Sequence, residues 1–164
     1  MLALRIDFLN GTYHAADPTA YTAPEWPPHP DRVFQALVAA AYGSGIDPAP
    51  LRALEGLPPD LAYGDAAAGR TGSIYTAATW LEKPTREPWS RTNVLKYDPV
   101  MVGISTPVYL IWPDVPNHLL TPLAAMAAGV TYLGRAKTPV AVSVVGEAPD
   151  MPHHLAPSRT GDHF

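Results

Sequence analysis

The chain has 164 residues, of which 47% are hydrophobic and 20 are proline, and it contains no cysteine. That composition fits one folded domain with its own core, and it excludes disulfides and thiolate metal sites. The formal net charge of −4 taken alone argues against nucleic acid as a partner.

The charge is unevenly distributed. Residues 1–65 carry Arg5, Arg32 and Arg52 against eight acids, a balance of −5. Residues 66–138 carry Arg70, Lys83, Arg86, Arg91, Lys96, Arg135 and Lys137 against four acids, a balance of +3, and the remainder returns to −2. A basic middle between acidic ends can present one polyanion-binding face, because phosphate contacts are local. No basic segment followed by a long apolar one opens the sequence, and nowhere do about eighteen apolar residues run together, so neither a secretory signal nor a membrane span is expected. Lack of cysteine suits a reducing compartment, and a cytoplasmic location is the expectation.

In chain order, Leu2–Leu9 partly alternates apolar and polar residues and reads as a half-buried strand. Pro24-Glu25-Trp26-Pro27-Pro28-His29-Pro30-Asp31-Arg32 is a proline-rich loop that opens a helix. Pro30 suits the first turn, Asp31 favours the positive end of the helix dipole, and Val33, Leu37, Ala40 and Ala41 form an apolar stripe. Gly43-Ser44-Gly45 stops that helix. A short helix follows at 50–55, then an exposed loop at 66–72. Strand composition recurs at 73–81, 100–104, 107–112 and 140–145. Asn117–Ala128 predicts a helix closed by Gly129, with Pro122 marking a shifted start or two turns. From Ala148 onward the chain is a polar, proline-containing tail.

Collapsed to major elements, the order is β, α, β, β, α, β. The predicted class is α+β, a ferredoxin-like (RRM-like) domain over 1–147, with 148–164 as the tail. Such a fold packs two helices on one sheet face and leaves the other free, though a fold does not establish a function.

Several residues are candidates for chemistry. Gly134 between Leu133 and Arg135 would let backbone approach a phosphate, with Arg135 and Lys137 supplying charge; on the residues alone, a solvent-facing turn is the simpler reading. Segment 82–100 combines Lys83, Arg86, Arg91 and Lys96 with Trp89 and Tyr97, a pairing suited to tracking phosphates and stacking on bases, or equally to a solvated loop. Arg70 in its glycine-rich loop is a weaker instance. Trp26, Tyr109 and Trp112 read as core. Metal-independent RNA cleavage needs a base and an acid, for which His14 beside Tyr13 is the best pair and His29 the next, against the ordinary alternative of structural histidines. His153-His154 has no third ligand nearby, and no nucleotide-binding glycine loop occurs, so no metal or cofactor is expected.

Five blocks carry a family likeness. Gly11-Thr12-Tyr13-His14-Ala15, the block Glu25-Trp26-Pro27-Pro28-His29-Pro30, and the helix Arg32-Val33-Phe34-Gln35-Ala36-Leu37-Val38-Ala39-Ala40 resemble the start of a CRISPR-associated subunit of type I-U (I-G) systems, with His29 where serine is usual. Pro107–Pro113 and Tyr132-Leu133-Gly134-Arg135-Ala136-Lys137-Thr138-Pro139-Val140 look like that family's closing strand and leucine-glycine-arginine loop.

The resemblance implies a member of the repeat-associated mysterious protein (RAMP) superfamily. It would be a non-catalytic Cascade subunit that grips and caps the five-prime handle of CRISPR RNA (crRNA), with an inserted thumb hairpin at 82–100. Gly134, Arg135, Lys137, Lys83, Arg86, Trp89, Arg91 and Lys96 would then be the RNA-binding set. Implied partners are crRNA and the backbone and large Cascade subunits, with a separate crRNA endonuclease as a further candidate. Relatives usually carry a second, endonuclease-like half that these residues lack, so the chain is expected to be a naturally short subunit or a piece of a longer fusion. Two further readings stand beside this one: a precursor-crRNA endoribonuclease acting through His14, and a purely structural interaction domain.

Overall fold

The computed structural model describes residues 1–77 and 93–157. Strand β1 (Leu2–Phe8) buries Leu2, Leu4, Ile6 and Phe8 on one face, as its alternation predicts. A two-residue β2 (Thr12–Tyr13) follows, then helix α1 (Pro30–Ser44). His29 caps α1, its Nδ1 accepting from the Asp31 amide at 3.4 Å, and Pro30 occupies the first turn. Val33, Leu37, Ala40 and Ala41 are its buried stripe. The helix ends at Gly45, whose φ of +66° and the 2.9 Å bond from the Ile46 amide to the Ala41 carbonyl close it as a left-handed cap. A 3-10 turn (Ala49–Leu51) leads into the single-turn α2 (Arg52–Glu55).

Next come β3 (Asp60–Tyr63), β4 (Ala67–Ala68), β5 (Gly72–Ala77), β6 (Asn93–Asp98), β7 (Met101–Val102) and β8 (Val108–Trp112). A 3-10 turn (Asn117–Leu119) precedes α3 (Leu120–Ala128), which fits the warning given by Pro122. The last strands are β9 (Val140–Val145) and β10 (His153–Leu155).

Among the described residues, five strands form one sheet in the order β10-β3-β8-β1-β9, every neighbouring pair antiparallel. Removing the edge strand β10 leaves β3-β8-β1-β9, with α1 between β1 and β3 in sequence and α3 between β8 and β9. This mixed α+β arrangement is compatible with the expected ferredoxin-like class. Leu4, Ile6, Val108, Leu110 and Val142 meet Val33, Leu37, Leu123 and Met126 in a single core. Fully burying such a side chain contributes about 1.5–3 kcal/mol, so this interface dominates the hydrophobic stabilisation.

The structure differs from the sequence reading in where the strands go. The sheet takes its second strand from Asp60–Tyr63, where no strand is predicted. The strand-like stretch 73–81, of which 78–81 lie outside the described residues, contributes to β5 instead, which among the described residues pairs only with β6 as a separate hairpin, from Gly72↔Asp98 to Ala77↔Asn93. The predicted strand at 100–104 shrinks to Met101–Val102, because Gly103 turns the chain at φ +71°. The expected loop at 66–72 contains β4, which joins β2 and β7 in a small sheet. Part of the expected tail is β10, an exposed edge strand paired with β3. No helix among the described residues is long and apolar enough to cross a membrane.

Candidate functional site

Two polar clusters flank the short strand β2, and they have opposite characters. The first is closed. Glu25 is 5% exposed, a position that would cost several kcal/mol for an unpaired carboxylate. Four donors offset this: the Tyr13 hydroxyl at 2.6 Å, the His29 amide at 2.9 Å, and Arg32 through Nε at 3.1 Å and Nη2 at 2.9 Å. Burial alone would raise the Glu25 pKa; the Arg32, Tyr13 and His29 hydrogen bonds outweigh it and hold the carboxyl below its ordinary value. Burial, then the bond to Glu25, pushes the Tyr13 phenol far above its usual range. The proline-rich block thus knots the β2 region to the first turn of α1. Trp26 completes it, with its ring 5.8 Å from Phe8 and 6.2 Å from Tyr63, as a core anchor should be.

The second cluster gathers around Asp98, where β6 leaves the hairpin. Arg135 Nη1 lies 2.9 Å from Asp98 Oδ1, and Arg135 Nη2 donates to the Tyr97 carbonyl. Lys137 Nζ pairs with Asp98 Oδ2, and His14 Nδ1 sits 3.3 Å from Oδ1. Burial would raise the Asp98 pKa, but Lys137 first, then Arg135 and His14, keep the carboxyl below its ordinary value. Two side-chain cations therefore share one carboxylate, leaving the cluster one positive charge in excess. Lys96 is exposed two residues before Asp98 on β6, so the alternation of a strand puts it on the same face.

The loop 133–138 is held by its own backbone. The Arg135 amide donates to the His14 carbonyl at 3.1 Å, the Thr138 amide to the Arg135 carbonyl at 2.9 Å, and the buried Thr138 hydroxyl accepts from the His14 amide at 2.9 Å. Gly134 has φ +71°, and a Cβ there would stand 2.7 Å from the His14 carbonyl oxygen. The sequence reads this glycine as clearance for a phosphate; the space its missing side chain opens is occupied by His14, Ala15 and the Tyr13 ring.

The structure thus brings together Gly134, Arg135, Lys137 and His14, and sets Lys96 nearby on β6. Lys83, Arg86, Trp89 and Arg91 lie outside the described residues. Tyr13 and His14 are neighbours in sequence but serve different clusters, the Tyr13 hydroxyl on Glu25 and the His14 ring on Asp98. His29 is an exposed helix cap. Among the described residues, no group of three or more His, Asp or Glu is placed to hold a metal ion. The sequence reading missed Asp98 and Glu25 as site residues: Asp98 is one acid within the basic middle, and Glu25 lies in the acidic first third with Arg32 seven residues on. A concavity of about 740 Å³ beside Phe34, Leu57, Trp112 and Leu155 is mostly apolar and shares no residue with the Asp98 cluster. Another, about 530 Å³, runs between α1 and residues 129–134 and borders the cluster at Gly134.

No curated protein matches the chain. Residues 2–60 match the model of the family described as CRISPR-associated protein, GSU0054 family. The matched segment includes β1, β2, the Glu25 cluster, α1 and α2, and ends before the hairpin and the 133–138 loop. The match supports a CRISPR-associated protein with a role in CRISPR defence, working with other CRISPR components.

Proposed function

We propose that this chain is a non-catalytic, RNA-binding subunit of a Cascade-type CRISPR effector, belonging to the RAMP superfamily and holding the five-prime handle of crRNA in the cytoplasm. The observation that carries the reading is the Asp98 cluster: Arg135 and Lys137 converge where the hairpin leaves the body, with excess positive charge and with Lys96 on the same face of β6. Cations at the root of a hairpin suit a strand end threaded between hairpin and body, since phosphate contacts fix register on a single strand. The family match over residues 2–60 supplies the CRISPR context. In this reading the partners are crRNA, the backbone and large subunits, and a separate crRNA endonuclease.

The test is RNA affinity against salt, measured by fluorescence anisotropy with a labelled single-stranded repeat RNA. Each lost phosphate contact lowers the slope of log K against log salt by about 0.7. Arg135→Ala and Lys137→Ala should each weaken binding and flatten the slope by about that amount. Unchanged affinity and slope in both variants would remove the cluster from the RNA interface.

A further inference from the structure

We infer that Asp98 is an internal occupant of the anion site, so that RNA phosphate must displace it and in doing so frees the root of the β5–β6 hairpin. The inference rests on the reading of Arg135 and Lys137 as phosphate contacts, and it adds a mechanism that governs them. Asp98 is 7% exposed and offers both carboxylate oxygens, Oδ1 to Arg135 and His14 and Oδ2 to Lys137. That is the set of contacts a phosphate oxygen pair would make. Arg135 and Lys137 belong to the loop before β9, whereas Asp98 and the Tyr97 carbonyl belong to β6. Every one of these bonds therefore runs from the body to the hairpin.

Backbone bonds hold the loop itself to His14 and do not involve the hairpin. The loop can keep its shape while its cations change partner. Exchange of a carboxylate for a phosphate keeps each cation paired, so neither Arg135 nor Lys137 is left uncompensated. It leaves Asp98 without its cations beside an incoming polyanion, and like-charge repulsion then drives the hairpin root away from the loop. Affinity for RNA is thus held down by the internal competitor, and binding is coupled to hairpin position.

Asp98→Asn tests this, because it keeps the shape and removes the competing charge. The variant should bind the labelled repeat RNA roughly three- to tenfold tighter than wild type at low salt, the scale of one like charge removed from a partly solvated site. Its fold is checked by thermal melting. A second measurement needs no change at Asp98: the chain lacks cysteine, so Ile74→Cys on β5 and Tyr42→Cys on α1, 46% and 71% exposed, accept spin labels cleanly. In the labelled protein, adding repeat RNA should shift or broaden the inter-label distance, and Asp98→Asn should show that distribution before RNA is added. If RNA binds but Asp98→Asn binds no tighter, or if the distance is unchanged by RNA, the exchange is overturned while the RNA reading stands. If neither protein binds RNA, the reading and the exchange fall together.

Discussion

Gly134 and Gly103 form a natural experiment on how the 133–138 loop is held. Both have φ +71°, so an alanine at either position incurs the left-handed penalty of about 1–2 kcal/mol, partly offset by the stiffer unfolded chain. Around Gly103, beyond its own two chain neighbours, no heavy atom lies within 4 Å of where a Cβ would stand. At Gly134 the same atom would lie 2.7 Å from the His14 carbonyl oxygen, and 3.3 Å from both Ala15 Cβ and Tyr13 Cε2. A backbone oxygen and a fully buried ring cannot swing aside as a surface side chain would, and forcing atoms into such a site costs about 1–3 kcal/mol. The expected difference between Gly134→Ala and Gly103→Ala is therefore about 2 kcal/mol, or roughly 4–8 °C in melting temperature for a chain of this length. Thermal unfolding followed by circular dichroism reads it. Equal losses for the two variants would refute the close seating of the loop on His14, and with it the claim that the cations are positioned from the body side.

Other outcomes follow from the two clusters. Glu25→Gln should lower stability at neutral pH by about 1–3 kcal/mol, because it weakens charge-assisted bonds to a partly exposed Arg32. A carboxyl whose folded pKa is depressed adds stability above its unfolded value and loses it as pH falls through the folded one. The gap between wild type and Glu25→Gln should therefore be full above the ordinary glutamate value of 4.5 and close on further acidification; a gap that stays constant to low pH would show that Glu25 is not ionised in the fold. Incubation with repeat RNA in EDTA should leave the RNA intact for both wild type and His14→Ala, and a defined cut that His14→Ala abolishes would restore the endoribonuclease reading.

Sequence periodicity made α1, β1, β8, α3 and β9 legible, because each is long enough to show its apolar face. Asp60–Tyr63 was not, since four residues between Pro58-Pro59 and Gly64 carry too short a pattern. The stretch at 73–81 was recognisable as a strand, but composition reports that a segment is extended and says nothing about which strand it pairs with. β10 was hidden for the same reason of length. At the candidate site, Arg135 and Lys137 stood out as charges, whereas Asp98 did not. Its bonds to them span 37 and 39 residues and arise only when the hairpin folds back on the loop before β9. At Gly134 the sequence shows a capacity for close backbone approach, but not that the His14 carbonyl is the group beside it. Adjacent residues also mislead: Tyr13 and His14 look like a catalytic pair in sequence, yet neighbouring side chains in an extended segment point to opposite sides.

Sequencing the RNA that copurifies with this chain from cells expressing its own genomic neighbours addresses the central claim most directly. A discrete small RNA with one constant five-prime end, recovered with partner CRISPR proteins and diminished by Arg135→Ala with Lys137→Ala, is the predicted result. Protein that arrives with its partners but free of nucleic acid would contradict the RNA-binding account and leave the basic cluster as a structural tie between hairpin and body.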